Sequence, residues 1–164
     1  MNIKDMLKVT GFKPHALITV TPEELASAAI KKMSERNKGA LPVCNEAGEL
    51  MGIVTERDII RKCFTHEGNF ENKVIKDIMT EKVAIAGLDD DLDYAIKTMK
   101  KEKIRHLPIA DGKRVVGILS MRDIMGFQYE EASIKIKYMQ MLPKRSVSSD
   151  RSTVQMKPTF WAAF

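Results

Sequence analysis

The sequence is poor in the residues that most often carry chemistry: 164 residues hold two cysteines, three histidines and an aromatic content of only 6%. Cys44 and Cys63 have no histidine or cysteine at metal-ligand spacing, so they read as buried free thiols rather than zinc ligands. A structural disulfide is not expected in a reducing compartment. His15 and His66 fall in predicted loops and His106 on a predicted strand, and none stands at a spacing that builds a triad or a metal site. Neither a glycine-rich P-loop nor a dinucleotide fingerprint occurs. The expectation is a protein that is not an enzyme, with no catalytic residue, no metal and no catalytic cofactor.

Long apolar runs are missing as well. None approaches the roughly 18 residues of a membrane span, and residues 1–8 mix Lys, Asp and Leu instead of opening on a basic start and a long apolar stretch. This predicts a cytoplasmic protein without membrane contact. What is present is a globular balance of 44% hydrophobic and 30% charged residues, enough chain for one domain or for two small units that share an interface. The net charge is +5, but residues 143–164 carry +3 of it through Lys144, Arg145, Arg151 and Lys157 against Asp150. The body is therefore nearly neutral, and it lacks the basic stripe with interleaved aromatics that nucleic acids favour.

The chain repeats itself. Ile3-Lys4-Asp5-Met6-Leu7 returns as Ile75-Lys76-Asp77-Ile78-Met79, and Ala29-Ile30-Lys31-Lys32-Met33 as Ala95-Ile96-Lys97-Thr98-Met99. Ala40-Leu41-Pro42-Val43 is echoed by His106-Leu107-Pro108-Ile109, and Gly52-Ile53-Val54-Thr55-Glu56-Arg57-Asp58-Ile59 by Gly117-Ile118-Leu119-Ser120-Met121-Arg122-Asp123-Ile124. Four matches in one order at a nearly constant offset point to a duplication. The expected organisation is a first repeat over 3–64, a linker over 65–74, a second repeat over 75–127, and a C-terminal helix and mobile tail over 128–164.

Each repeat reads as strand, helix, strand, strand, helix, an α/β (α+β) pattern. Residues 16–20 form a β-branched run. Thr21, Pro22, Glu23 and Glu24 then supply an N-cap, a first-turn proline and acids, which predicts a helix from that point with Leu25, Ala29, Ile30 and Met33 as its buried stripe and residues 37–39 as its end. Hairpins are predicted from 40–44 with 50–55 and from 106–110 with 115–120. The second repeat opens with a strand at 83–86, followed by a helix buried through Leu92, Ala95, Ile96 and Met99. The acids Asp89, Asp90 and Asp91 before it offset the helix dipole. Residues 129–142 read as an extra helix.

The segments Thr55-Glu56-Arg57-Asp58 and Ser120-Met121-Arg122-Asp123 admit two readings. A Ser or Thr three residues before an acid is a capping box and nothing more. Yet each segment also leaves a glycine-bearing strand and places Arg and Asp in the first turn of a helix, where free N–H groups favour an anion. An Asp carboxylate can accept from two ribose hydroxyls, a Thr or Ser hydroxyl can meet phosphate or ribose, and Arg grips phosphate. The partner slot for a flat base is expected on the strand after the first helix, at Ile104, Arg105, His106 and Pro108 in the second copy and at Lys38, Gly39, Ala40 and Pro42 in the first.

On these residues the chain resembles a pair of cystathionine-β-synthase (CBS) domains, a Bateman module, over residues 3–127. The resemblance implies two β-α-β-β-α repeats packed through their sheets with pseudo-twofold symmetry, and clefts that take AMP, ADP, ATP or S-adenosylmethionine. It implies that Asp58 and Asp123 hold ribose hydroxyls, that Thr55 and Ser120 lie beside ribose or phosphate, and that Arg57 and Arg122 meet phosphate. It also places Thr80 and Val83, in the Met-Thr entry strand, beside the base, and it implies a homodimer. The function expected is therefore a regulatory adenosine-nucleotide sensor that alters a partner protein's activity. The alternatives are a ligand-independent interaction or dimerisation module, or a nucleic-acid adaptor acting through the basic tail.

Overall fold

The computed structural model describes residues 1–9, 17–63 and 72–141. Its first half runs α1 (Ile3–Val9), α2 (Ala26–Arg36), β1 (Ala40–Cys44), β2 (Leu50–Thr55) and α3 (Glu56–Cys63). Its second half runs α4 (Ile75–Ile78), β3 (Ala86–Gly87), α5 (Leu92–Glu102), β4 (His106–Asp111), β5 (Arg114–Ser120) and α6 (Met121–Met141). The duplication in sequence is thus a duplication in structure, with helices and two small sheets.

The halves match down to their irregularities. β1 and β2 pair antiparallel with Ala40 opposite Thr55, and β4 and β5 pair with His106 opposite Ser120. Each ladder slips by one residue at the same point, between Val43 and Cys44 in one and between Ile109 and Ala110 in the other. The main helices also end alike, on Asn37 at φ 50° and Lys103 at φ 54°, each folding its N–H back onto carbonyls of the last turn. Cys44 and Cys63 are buried free thiols whose pKa values burial pushes up, as the absence of ligand partners predicts.

The cores do not follow the linear repeats. Ile3 and Met6 of α1 are buried with Leu92, Ala95, Met99, Leu107 and Leu119 of the second half. Ile75 and Ile78 of α4 are buried with Ala29, Met33, Leu41, Val43 and Val54 of the first. Backbone bonds fix the exchange: Ile3 donates to the Asp90 carbonyl at 2.9 Å, and Ile75 donates to the Glu24 carbonyl at 2.8 Å. Each half therefore completes its core with the leading helix of the other.

That exchange explains the first of several departures from the local reading. The helix predicted from Thr21 begins only at Ala26, because the carbonyls of Pro22 and Glu24 are turned outward to accept from Lys76 and Ile75 at the start of α4. The capping signal survives as a turn in which the Thr21 N–H donates to Glu24 Oε1 at 2.9 Å. Leu25 is exposed as a result, and Ala26 takes the buried place expected for it. Of the predicted strand over 16–20, the described residues 17–20 make one bridge, Val20 with Val43, and the strand over 83–86 contracts to Ala86–Gly87. Nor does the last helix stop near Phe127: α6 continues unbroken for 21 residues, so the predicted extra helix is its second half. The linker over 65–74 falls largely, and the tail over 143–164 wholly, outside the described residues. Among the described residues no helix is long and apolar enough to cross a membrane.

Candidate functional site

Each half ends its hairpin in the same device. At the end of β5 the Ser120 N–H and hydroxyl both donate to Asp123 Oδ2, at 2.9 and 2.6 Å, and the Asp123 N–H donates back to Ser120 Oγ at 3.2 Å. Thr55 and Asp58 repeat the pattern at 3.0, 2.6 and 3.2 Å. Both segments are thus reciprocal helix caps. The hydroxyl hydrogens of Thr55 and Ser120 point at their own aspartates, which leaves these two residues holding an aspartate in place while each cap uses a single carboxylate oxygen.

What the second oxygen meets differs between the halves. Asp58 Oδ1 lies 3.4 Å from the Thr80 hydroxyl, and Thr80 also pairs with Ile53 through two backbone bonds of 3.0 and 2.9 Å. Residues Thr55, Asp58 and Thr80 therefore lie together, with Thr80 exposed to solvent. Among the described residues Asp123 Oδ1 accepts no hydrogen bond, and Asp123 lines a cleft of about 1100 Å³, a size suited to a small-molecule ligand.

The cleft is built by both halves. The second supplies Arg105, His106, Ser120, Arg122 and Asp123, and the first supplies Gly39, Ala40, Lys38 and Glu56 together with the apolar side chains Leu17, Ile18, Ile30 and Met33. An added Cβ on Gly39 would stand 3.2 Å from Glu56 Oε2 and 3.5 Å from His106 Cε1, so the two halves meet closely there. Of the residues singled out in sequence, Lys38, Gly39, Ala40, Arg105, His106, Ser120, Arg122 and Asp123 come together in this cleft. Pro42 and Pro108 are buried inside β1 and β4, and Ile104 packs against the second core instead. Arg57 is exposed on the first turn of α3, and Val83 is half-buried between Thr80 and β3; neither lines the cleft.

Sequence reasoning missed the apolar contribution of the first half to the cleft that holds Asp123. Ile30 and Met33 were legible as a helix stripe, but a stripe read alone belongs to the core. The half-burial of Ile30 shows that one edge of the stripe faces the cleft.

His106 is held below its ordinary pKa of 6.5, chiefly by burial and then by the Arg105 guanidinium, with Arg122 adding a smaller push in the same direction. Glu56 and Asp123 pull the other way and do not prevail. Imidazole beside the cleft is consequently neutral at pH 7. Among the described residues no group of His, Cys, Asp and Glu could hold a metal ion.

The two hairpin glycines separate the halves further. An added Cβ on Gly52 would lie 2.8 Å from the Thr80 carbonyl oxygen and 3.0 Å from Met79 Sδ, whereas on Gly117, which lines the cleft, it meets nothing within 4 Å among the described residues. Gly52→Ala is expected to cost about 1–3 kcal/mol through forced backbone movement, a fall in Tm of roughly 3–10 °C. Gly117→Ala is expected to leave the melting curve within about 2 °C of the parent. Paired thermal melts check this contrast.

The chain matches the family model for the CBS domain twice, over residues 14–64 and 75–130. An uncharacterised protein of Methanopyrus kandleri is 36% identical over 110 residues, which cover 66% of this chain and 56% of that relative, so the match spans little more than half of its length. Among solved structures, a CBS-domain protein from Burkholderia ambifaria superposes with a TM-score of 0.70 at 32% identity, covering 76% of this chain and 91% of that one. A CBS domain pair solved in complex with 5′-methylthioadenosine and S-adenosyl-L-methionine superposes with a TM-score of 0.65 at 29% identity, over 80% of this chain and 98% of that one.

Proposed function

The chain belongs to the CBS-domain family, and from that premise we propose that it is a regulatory sensor of adenosine compounds, binding one AMP, ADP, ATP or S-adenosylmethionine per chain and thereby changing a partner protein's activity. The observation that carries the reading is the aspartate with an unbonded carboxylate oxygen, Asp123, on a cleft whose other side is apolar. In this reading Ile18, Ile30, Gly39 and Ala40 receive the base, Asp123 accepts from the ribose hydroxyls, and Arg105, His106 and Arg122 surround the phosphate, with Ser120 fixing Asp123. The related pair with two adenosine compounds bound supports the ligand class. Three cationic side chains on the cleft, Lys38, Arg105 and Arg122, against Glu56 and Asp123 favour ligands that carry phosphate.

The cleft is assigned to binding rather than catalysis, and the protein is read as a homodimer. A ligand regulates only if it binds one conformation of the module better than another. In the first half Asp58 has the Thr80 hydroxyl 3.4 Å from its second oxygen and, like Thr55 and Thr80, stands outside the cleft, which is why one ligand per chain is expected; Arg57 then has no phosphate to meet.

Calorimetric titration of AMP, ADP, ATP and S-adenosylmethionine tests the reading, with a stoichiometry near one per chain expected for at least one of them. Heat from none of the four would sink it. The same titration carries a pH signature. In the free protein the His106 pKa lies below 6.5, and an anionic phosphate beside it raises that pKa, so binding takes up a proton. Affinity for a nucleotide is expected to strengthen as the pH falls from 7.5 towards 6, and buffers of different ionisation enthalpy measure the uptake. His106→Gln removes the pH dependence. Considered without ligand, the sign is that of a lowered histidine: the contribution of His106 to stability is complete above about 6.5 and is lost as the pH falls through its depressed pKa.

A further inference from the structure

Where the two halves meet, the cleft breaks the symmetry of the duplication. Just past the paired end of each hairpin, the Glu56 N–H donates to the Gly39 carbonyl at 3.1 Å and the Met121 N–H donates to the Arg105 carbonyl at 2.9 Å. Gly39, Ala40 and Glu56 of the first half therefore correspond to Arg105, His106 and Met121 of the second, and all six line the cleft. Within this set the second half brings the positive charge and the first half brings a carboxylate.

The position of that carboxylate is set by its neighbours. The bond to Gly39 fixes the Glu56 backbone, and the missing side chain of Gly39 leaves room for its carboxylate to fold back. Glu56 Oε2 and His106 Cε1 lie 3.2 and 3.5 Å from the place that a Cβ on Gly39 would take, so they flank one spot. Of the two acids that act on His106, Glu56 acts more strongly than Asp123. Among the described residues Glu56 forms no ion pair, so its charge stands unmatched beside the residues that surround the phosphate in the reading above.

With His106 neutral, the cations Lys38, Arg105 and Arg122 exceed Glu56 and Asp123 by a single positive charge. One phosphate brings about two negative charges, which already outweigh that excess. Any further phosphoryl group adds negative charge to a cleft whose cations are matched, and it meets repulsion from Glu56.

We propose that Glu56 limits the number of phosphates the cleft accepts, admitting an adenosine monophosphate and opposing the di- and triphosphate. This rests on the nucleotide reading above and narrows it. Calorimetry on the full chain with AMP and with ATP, both in excess EDTA so that no divalent cation screens the phosphates, tests it. The parent is expected to bind AMP roughly tenfold or more tightly than ATP. Glu56→Gln keeps the shape and removes the charge; it is expected to strengthen ATP binding roughly tenfold and AMP binding by about threefold at most, and Glu56→Lys narrows the gap further. Glu56 is exposed, so both variants are expected to melt within about 2 °C of the parent.

A parent that binds ATP as tightly as AMP, or a gap that Glu56→Gln leaves unchanged, overturns the role of Glu56 and leaves the adenosine reading standing. Heat with S-adenosylmethionine but with neither nucleotide does the same. Heat with none of the three overturns both.

Discussion

Asp123→Ala is expected to weaken binding of the preferred adenosine compound by roughly 30-fold or more, whereas Asp58→Ala changes it by less than about threefold. A hydrogen bond to a charged group contributes on the order of 1.5–3 kcal/mol, and a tenfold change in affinity is about 1.4 kcal/mol, so loss of a carboxylate that accepts from ribose reaches that range. The difference between the two positions comes from their surroundings. Asp58 Oδ1 lies beside the Thr80 hydroxyl, while Asp123 Oδ1 is unbonded among the described residues and lines the cleft. Because Asp123 also caps α6 through Ser120, the alanine carries a folding cost of about 1 kcal/mol. Asp58→Ala removes an equivalent cap and serves as the control for it. Comparable losses of affinity at both positions would move the ligand out of the cleft to which it is assigned here.

Ile75→Ala is expected to destabilise the protein by about 2–5 kcal/mol, the usual cost of truncating a fully buried isoleucine, and to do so in the first half rather than in its own. Ile75 is wholly buried among Ala29, Leu41, Val43 and Val54, and Ile78 joins it there. Native-state hydrogen exchange should therefore show lost protection in β1 and β2 before β4 and β5. Ile3→Ala is the mirror experiment and loosens the second half. Uniform loss of protection in both variants would mean that the two cores open as one unit.

Much of the fold was legible because the duplication supplied each element twice. The Ala29–Met33 stripe was confirmed by Ala95–Met99, and both hairpins lie within a residue of their predicted bounds, since alternation and turn residues are local signals. The misplaced start of α2 has a distant cause. Thr21 and Pro22 announce a helix, but the carbonyls of Pro22 and Glu24 serve the start of α4, some fifty residues along the chain, and no local signal records a demand made from that distance. The candidate site was half-legible for the same reason. The Ser120–Asp123 cap is a local pattern, whereas the opposition of Ile18 and Ile30 to it arises only when the halves come together. Pro42 and Pro108 are buried within β1 and β4 and Ile104 packs partly buried against the second core, and none of the three lines the cleft.

The exchange of leading helices also sets an order for synthesis. During synthesis α1 leaves the ribosome well before the surface it rests on, because the residues it packs against extend to Phe127. The first half waits less long, for α4 alone. α1 is thus secured only after the second half has followed it, and until then Ile3 and Met6 are exposed to whatever the nascent chain meets.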